Sequence, residues 1–154
     1  MKTIIKYITV LVLCIVNTSC LKSGLEDLPA FSDAEITSFK FEYRWVDNAT
    51  ENSQLQVIQL PTETIINTDD AIINCIITVP AVNADFSAAV RDNVTLAGIV
   101  GYTDISTAAT IAPVGTAPTL GKVADFSADT MEYKVTAADD SSKVWTLVIS
   151  DFIK

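Results

Sequence analysis

The last part of the chain alternates with a period of two. Tyr133, Val135 and Ala137 stand against Lys134, Thr136 and Ala138; after the polar stretch Asp139 to Ser142, Trp145, Leu147 and Ile149 stand against Val144, Thr146 and Val148. That is the spacing of a strand with one face on a core and the other toward water. Two such runs around a short polar stretch are expected to pair as a hairpin. Both apolar sets fall on odd positions, so they share a face only if the loop holds three or five residues, because a slip of one residue turns one set to solvent.

The same period opens the domain. Phe39, Phe41, Tyr43 and Trp45 alternate with Ser38, Lys40, Glu42 and Arg44, which predicts a half-buried first strand from Ile36. A polar turn over Asp47 to Ser53 leads to a second strand through Leu55, Val57, Ile58 and Leu60, closed by Pro61, and a short third segment falls at Thr64 to Ile66. Ala71 to Val79 is so rich in isoleucine that both of its faces are expected to be covered. Val82 to Asn93 is the least strand-like stretch, and Asp85 to Val90 predicts a helical turn with Asp85 as its cap. Strand character returns over Val94 to Ser106, with Gly98 and Gly101 as expected bulge sites, and again over Thr107 to Ile111; Pro113 to Gly121 is a loop. About seven short strands with little helix imply an all-β protein, an antiparallel β-sandwich.

The first residues follow another logic. Lys2 and Lys6 give the chain a positive start, and Ile4 to Val16 is an almost unbroken apolar run, the pattern of a secretion signal. Thirteen residues fall short of the roughly 20 that a membrane-spanning helix needs. Thr18 and Ser19 lead into Cys20, and this arrangement resembles the lipobox of bacterial lipoproteins, with Asn17 where that motif prefers Leu. The resemblance implies that residues 1–19 are removed and that Cys20 becomes a lipidated N-terminus holding the protein on a membrane. Residues 20–33, with Gly24, Pro29, Glu26 and Asp27, read as a flexible tether, and 34–154 as the folded domain.

The remaining 135 residues are enough for one core, and carry 8 basic against 19 acidic side chains, a formal charge of −11. Nucleic acid is therefore excluded as a partner, since neutralising phosphates takes clustered lysine and arginine. The chain has no histidine, so no Ser/His/Asp triad, imidazole base or histidine metal site can be built. Cys75, alone in an apolar run, reads as a small buried hydrophobe, and no disulfide is expected. Asp69-Asp70 and Asp139-Asp140 are the adjacent carboxylates a glycosidase would call on, but each falls in a predicted turn and neither has the spaced ligand run of a calcium loop. No cofactor or metal is implied. Asn48-Ala49-Thr50 and Asn93-Val94-Thr95 match the N-glycosylation pattern.

Ile36-Thr37-Ser38-Phe39-Lys40-Phe41, Ala109 to Pro113, and above all Asp125-Phe126-Ser127 with Tyr133 to Asp139 and Lys143 to Ile149 resemble the immunoglobulin-like modules of Bacteroidetes lipoproteins. Asp140 stands where that pattern has Gly, and Trp145 where it has Tyr. If the loop position is left-handed, Asp is among the less costly replacements. The resemblance implies an immunoglobulin-like sandwich on the outer membrane, at the cell surface or the periplasmic face, acting as a non-enzymatic binding or spacer module beside a glycan-uptake or surface assembly. An adhesin or pilus subunit is the alternative, and a glycoside hydrolase a more distant one. Separately, Asp129-Thr130-Met131 resembles the Asp-Ser/Thr-aliphatic site that Bacteroidetes O-glycosylate on exported proteins, which marks Thr130 as a candidate O-glycosylation site. A glycan or an outer-membrane protein is the expected partner, with Tyr43, Trp45 and Tyr102 as the aromatic platforms on which a sugar would stack; the competing expectation is that Tyr43 and Trp45 simply continue the core stripe.

Overall fold

The structure, a computed structural model, describes residues 30–47 and 53–154. Residues 1–29, including the expected signal sequence and Cys20, and the Asn48 glycosylation pattern lie outside the described residues.

Among the described residues, nine strands form two packed sheets. The first sheet holds β1 (Ile36–Asp47), β2 (Gln54–Leu60), β5 (Ile99–Ile105) and β7 (Val123–Ala124) in the order β2-β1-β5-β7. The second holds β3 (Thr62–Asn67), β4 (Ile72–Thr78), β6 (Thr110–Val114), β8 (Met131–Thr136) and β9 (Ser142–Ile153) in the order β3-β4-β9-β8-β6. The protein is thus an all-β sandwich, as its alternation predicts. The strand count exceeds seven because β2 and β3 are separated by Pro61 alone and because Val123–Ala124 adds a two-residue edge. One pair also departs from the antiparallel expectation: β4 and β9 run parallel. Residues far apart in sequence meet there, and nothing in a strand's own alternation records which way its neighbour runs.

β8 and β9 form the expected hairpin. Tyr133 faces Trp145 and Met131 faces Leu147, and pairing resumes at Thr136 and Ser142, which leaves a five-residue loop. Tyr133, Val135, Trp145 and Leu147 are all fully buried. In the loop Asp140 has φ +68°, the left-handed conformation that glycine would fill without strain. Asp139 braces the turn, its Oδ1 accepting from the Ser141 amide and hydroxyl.

The bulges lie elsewhere than at Gly98 and Gly101. One is in β1, where Ile36 pairs with Ile105 and Ser38 with Asp104, so that Thr37 is the extra residue and both Ile36 and Phe39 turn inward. The other is at Ser150 in β9, whose hydroxyl donates to the Cys75 carbonyl. Leu96–Gly98 is a single 3-10 turn, and Gly101 is an in-register strand residue beneath the rings of Phe126 and Phe41. The short helix α1 (Ala88–Asp92) is capped by Ser87 rather than Asp85; Asn83 takes the amides of Asp85 and Phe86 and so uses up the turn that precedes it. In β4 the inward row Ile73, Cys75 and Ile77 is fully buried, but the outward row Ile72, Asn74 and Ile76 is half-exposed rather than covered.

Candidate functional site

The two ends of the sandwich differ. At one end the chain enters and is sewn down at once: the Phe31 carbonyl accepts from the Asp139 amide, the Ser32 carbonyl from the Ser141 hydroxyl, and the Ala34 carbonyl from the indole nitrogen of Trp145 at 3.0 Å. Glu35 pairs with Lys143, whose ammonium also donates to the Thr68 carbonyl and lies 4.5 Å over the Trp145 ring. The expected tether therefore gives way to bonded chain at Phe31, a little before residue 34.

The other end is made by an overhang. β1 pairs with β5 from Ile36 to Glu42 and with β2 from Phe41 to Asp47, so beyond Glu42 the first sheet narrows to a two-stranded arm, β1 and β2 alone. A lone pair of strands is marginally stable in water and needs packing on at least one face. Here the inner face supplies it. Tyr43 and Trp45 stack on each other, with ring centroids 6.0 Å apart and planes 17° apart, and Trp45 meets Phe86 at 5.7 Å. Phe86 is buried in the segment between β4 and α1, which folds over the overhang. Both Tyr43 and Trp45 remain half-buried: the stripe begun by Phe39 and Phe41 continues along the arm but is not fully enclosed.

The outer face of the arm is unexpectedly apolar. Val46 faces Leu55 and Arg44 faces Val57 across the strands, and Val46, Leu55 and Val57 are 54%, 64% and 47% exposed. No expectation from the sequence covered this patch, although one signal was present: Leu55 and Val57 are odd while Ile58 and Leu60 are even, and an unbulged strand must leave one set outside. At the base of the arm Glu42, only 8% exposed, holds Arg44 and receives the Gln59 amide, while the Gln59 carbonyl oxygen accepts from the Tyr102 hydroxyl. Arg44 reaches on to the Gly121 carbonyl.

Tyr102 is thus separated from the other two aromatics. It pairs with Lys40 on the outer face of the first sheet, whereas Tyr43 and Trp45 are on the inner face, so the three do not form one platform. Beside it Asp104 is held below the usual carboxylate range by the Ser38 hydroxyl and the Lys40 ammonium.

The other marked residues lie apart from the arm. Thr130 is exposed immediately before β8 and lines, with Thr116, Asp125, Met131 and Glu132, a pocket of about 230 Å³. Asn93 ends α1 and its amide returns to the Ala89 carbonyl. Asp69 and Asp70 are exposed turn residues whose amides bond Asn67. Cys75 is fully buried on β4, and loss of water pushes its thiol up to about 11, which leaves it protonated and inert at neutral pH. Among the described residues, no group of three or more Cys, Asp or Glu side chains is placed to hold a metal ion.

A family model described as DUF5018-related matches residues 36–148. The crystal structure of a protein from Bacteroides fragilis, described as a putative secreted protein, superposes with a TM-score of 0.73 at 30% identity, covering 82% of this chain and 100% of the other. No curated protein matches the chain. The family match runs from the first residue of β1 into the middle of β9 and the solved fold is shared; the chain belongs to the DUF5018-related family.

Proposed function

We propose that this protein is a non-enzymatic, lipid-anchored module of the bacterial cell envelope, an immunoglobulin-like sandwich of the outer membrane that holds its β1–β2 arm away from the lipid for a glycan or an outer-membrane protein partner. The observation that carries the reading is polarity. The chain enters the domain at the hairpin pole, where Phe31 and Ser32 are bonded, and the aromatic arm leaves from the opposite pole, 12 residues of β1 or about 40 Å away at ~3.3 Å per residue. A lipid on Cys20 would put the arm at the membrane-distal end. The similarity to a Bacteroides fragilis protein described as secreted supports a site outside the cytoplasm.

Anchoring is tested at Cys20. Acyl chains contribute about 0.8 kcal/mol per buried CH₂, and two lipid signals already give stable attachment. Cys20→Ala is expected to move the protein from the membrane to the soluble fraction and to abolish incorporation of labelled palmitate. A wild-type protein that is already soluble and takes up no palmitate would overturn the anchor.

Ligand binding is tested at the arm. Tyr43 and Trp45 stack on each other, Trp45 also meets Phe86, and both side chains stay partly open to water, which suits contact with a sugar ring at the pole. Isothermal titration against a panel of host and plant polysaccharides is expected to give heat with the wild type and none with a folded Tyr43→Ala/Trp45→Ala variant. Equal heats from both, or none from either, would remove these residues from ligand binding and leave the spacer role.

A further inference from the structure

We propose that the outer face of the first sheet, at the base of the arm, is a second binding patch, for a neutral oligosaccharide, built around Tyr102 with Lys40, Arg44 and Gln59. Tyr102 stands on β5 beside Lys40, yet its hydroxyl donates to the Gln59 side-chain carbonyl on β2, the strand on the far side of β1. Neighbouring strands lie about 4.8 Å apart, so the phenol must run across β1, along the sheet rather than off it, and it remains half-exposed. That is the disposition in which a flat ligand can lie against an aromatic side chain. Gln59 and Val57 are exposed next to it, and Val57 offers an apolar surface to the C–H face of a sugar.

The ligand class follows from charge and from rigidity. The charged side chains that face outward from β1, β2 and β5 pair off, Lys40 with Asp104 at 3.0 Å and Arg44 with Glu42. In a chain with a formal charge of −9 this surface is locally neutral, so it attracts neither a cation nor an anion. Glu42 holds Arg44 with one oxygen and takes the Gln59 amide at 2.9 Å with the other, and Arg44 also donates to the Gly121 carbonyl, so these planar groups are fixed before a ligand arrives. Capacity is left over on the second Gln59 N–H, the Tyr102 oxygen, the Lys40 ammonium and the second Asp104 oxygen. Donors and acceptors side by side around an aromatic ring, without net charge, suit a polyhydroxylated neutral ring. With one half-buried ring, binding is expected to be weak, at about millimolar concentration, and below what heat detects in titration of the arm. The inference extends the proposed glycan reading to another surface and uses none of its residues, since Tyr43 and Trp45 face the other side of β1.

The test is nitrogen NMR of the full chain in mild detergent, titrated with maltohexaose, cellohexaose and mannohexaose, and with trigalacturonate as the acidic control. At least one neutral oligosaccharide is expected to give saturable shifts at Lys40, Gln59 and Tyr102, the Gln59 side-chain amide included, and trigalacturonate none. Tyr102→Ala is expected to weaken the response by about tenfold or more, the size of one stacking contact. Tyr102→Phe keeps the ring and loses the bond to Gln59, and is expected to fall between. Tyr43→Ala/Trp45→Ala is expected to leave the shifts in place, so failure of the patch and failure of the arm are read separately. Circular dichroism checks that each variant is folded; should Tyr102→Ala not be, Gln59→Ala gives the same readout from the other end of the bond. No shift with any neutral oligosaccharide, shifts indifferent to Tyr102→Ala and Gln59→Ala, or a stronger response to trigalacturonate would overturn the proposal.

Discussion

Trp145→Ala is expected to lower the stability of the domain by about 3 to 5 kcal/mol through the cavity it leaves, measured as a fall in the urea midpoint at constant slope. The ring is fully buried between Tyr133 and the chain entry, so removing it opens a void that the hairpin cannot close without giving up its register. Its indole nitrogen is also the donor that satisfies the Ala34 carbonyl, and Lys143 lies over its face. The substitution therefore releases the entering strand as well as emptying the core. A loss of this size is a large share of the about 5 to 15 kcal/mol that a domain possesses. Trp145→Phe keeps a ring but not the N–H, and is expected to fall between the two. An unchanged midpoint for Trp145→Ala would mean that the odd face of β9 looks outward.

Gly101→Ala is the second large effect, and its sign is the informative part. Exchanging a strand glycine for alanine ordinarily stabilises by about 0.4 to 1 kcal/mol, because the unfolded chain loses freedom. At Gly101 the new Cβ would sit 2.7 and 2.9 Å from two ring carbons of Phe126 and 3.2 Å from one of Phe41. Those rings are fully buried and meet edge to face at 5.3 Å, so neither can retreat without disturbing the other. Overpacking of this kind costs about 1 to 3 kcal/mol, which outweighs the entropic gain. Gly98→Ala is the control, since nothing lies within 4 Å of its Cβ, and it is expected to be neutral or slightly stabilising. Combining Gly101→Ala with Phe126→Leu should recover part of the loss, a coupling that a double-mutant cycle measures. Equal effects at both glycines would show that Phe126 does not press on β5.

How far the chain could be read is best judged residue by residue. Tyr133, Val135, Trp145 and Leu147 declared their face, their partner strand and the parity of their loop, because in a hairpin the two strands are joined by so few residues that alternation and register are one constraint. The left-handed turn at Asp140 was legible only through the resemblance, whose pattern has Gly at that position. Phe126 and Phe86 declared nothing. Each sits outside any periodic run, and each became core only because a loop brings it over a strand, Phe126 onto Gly101 and Phe86 onto Trp45.

The candidate site divides along the same line. That Tyr43 and Trp45 share a face was legible from their spacing, and so was the opposition of Leu55 and Val57 to Ile58 and Leu60. That Tyr102 stands on the other side of the sheet was not, since side is relative to a distant partner strand, where it pairs with Lys40, whose register depends on a bulge at Thr37. Nor could one strand reveal that β5 stops at Glu42 while β2 continues, although that mismatch makes the arm. Alternation is a property of the backbone of each strand and is written in consecutive residues. Which strands neighbour one another, in which direction, and where one outruns the next are settled by packing between distant segments, where no local period leaves a mark.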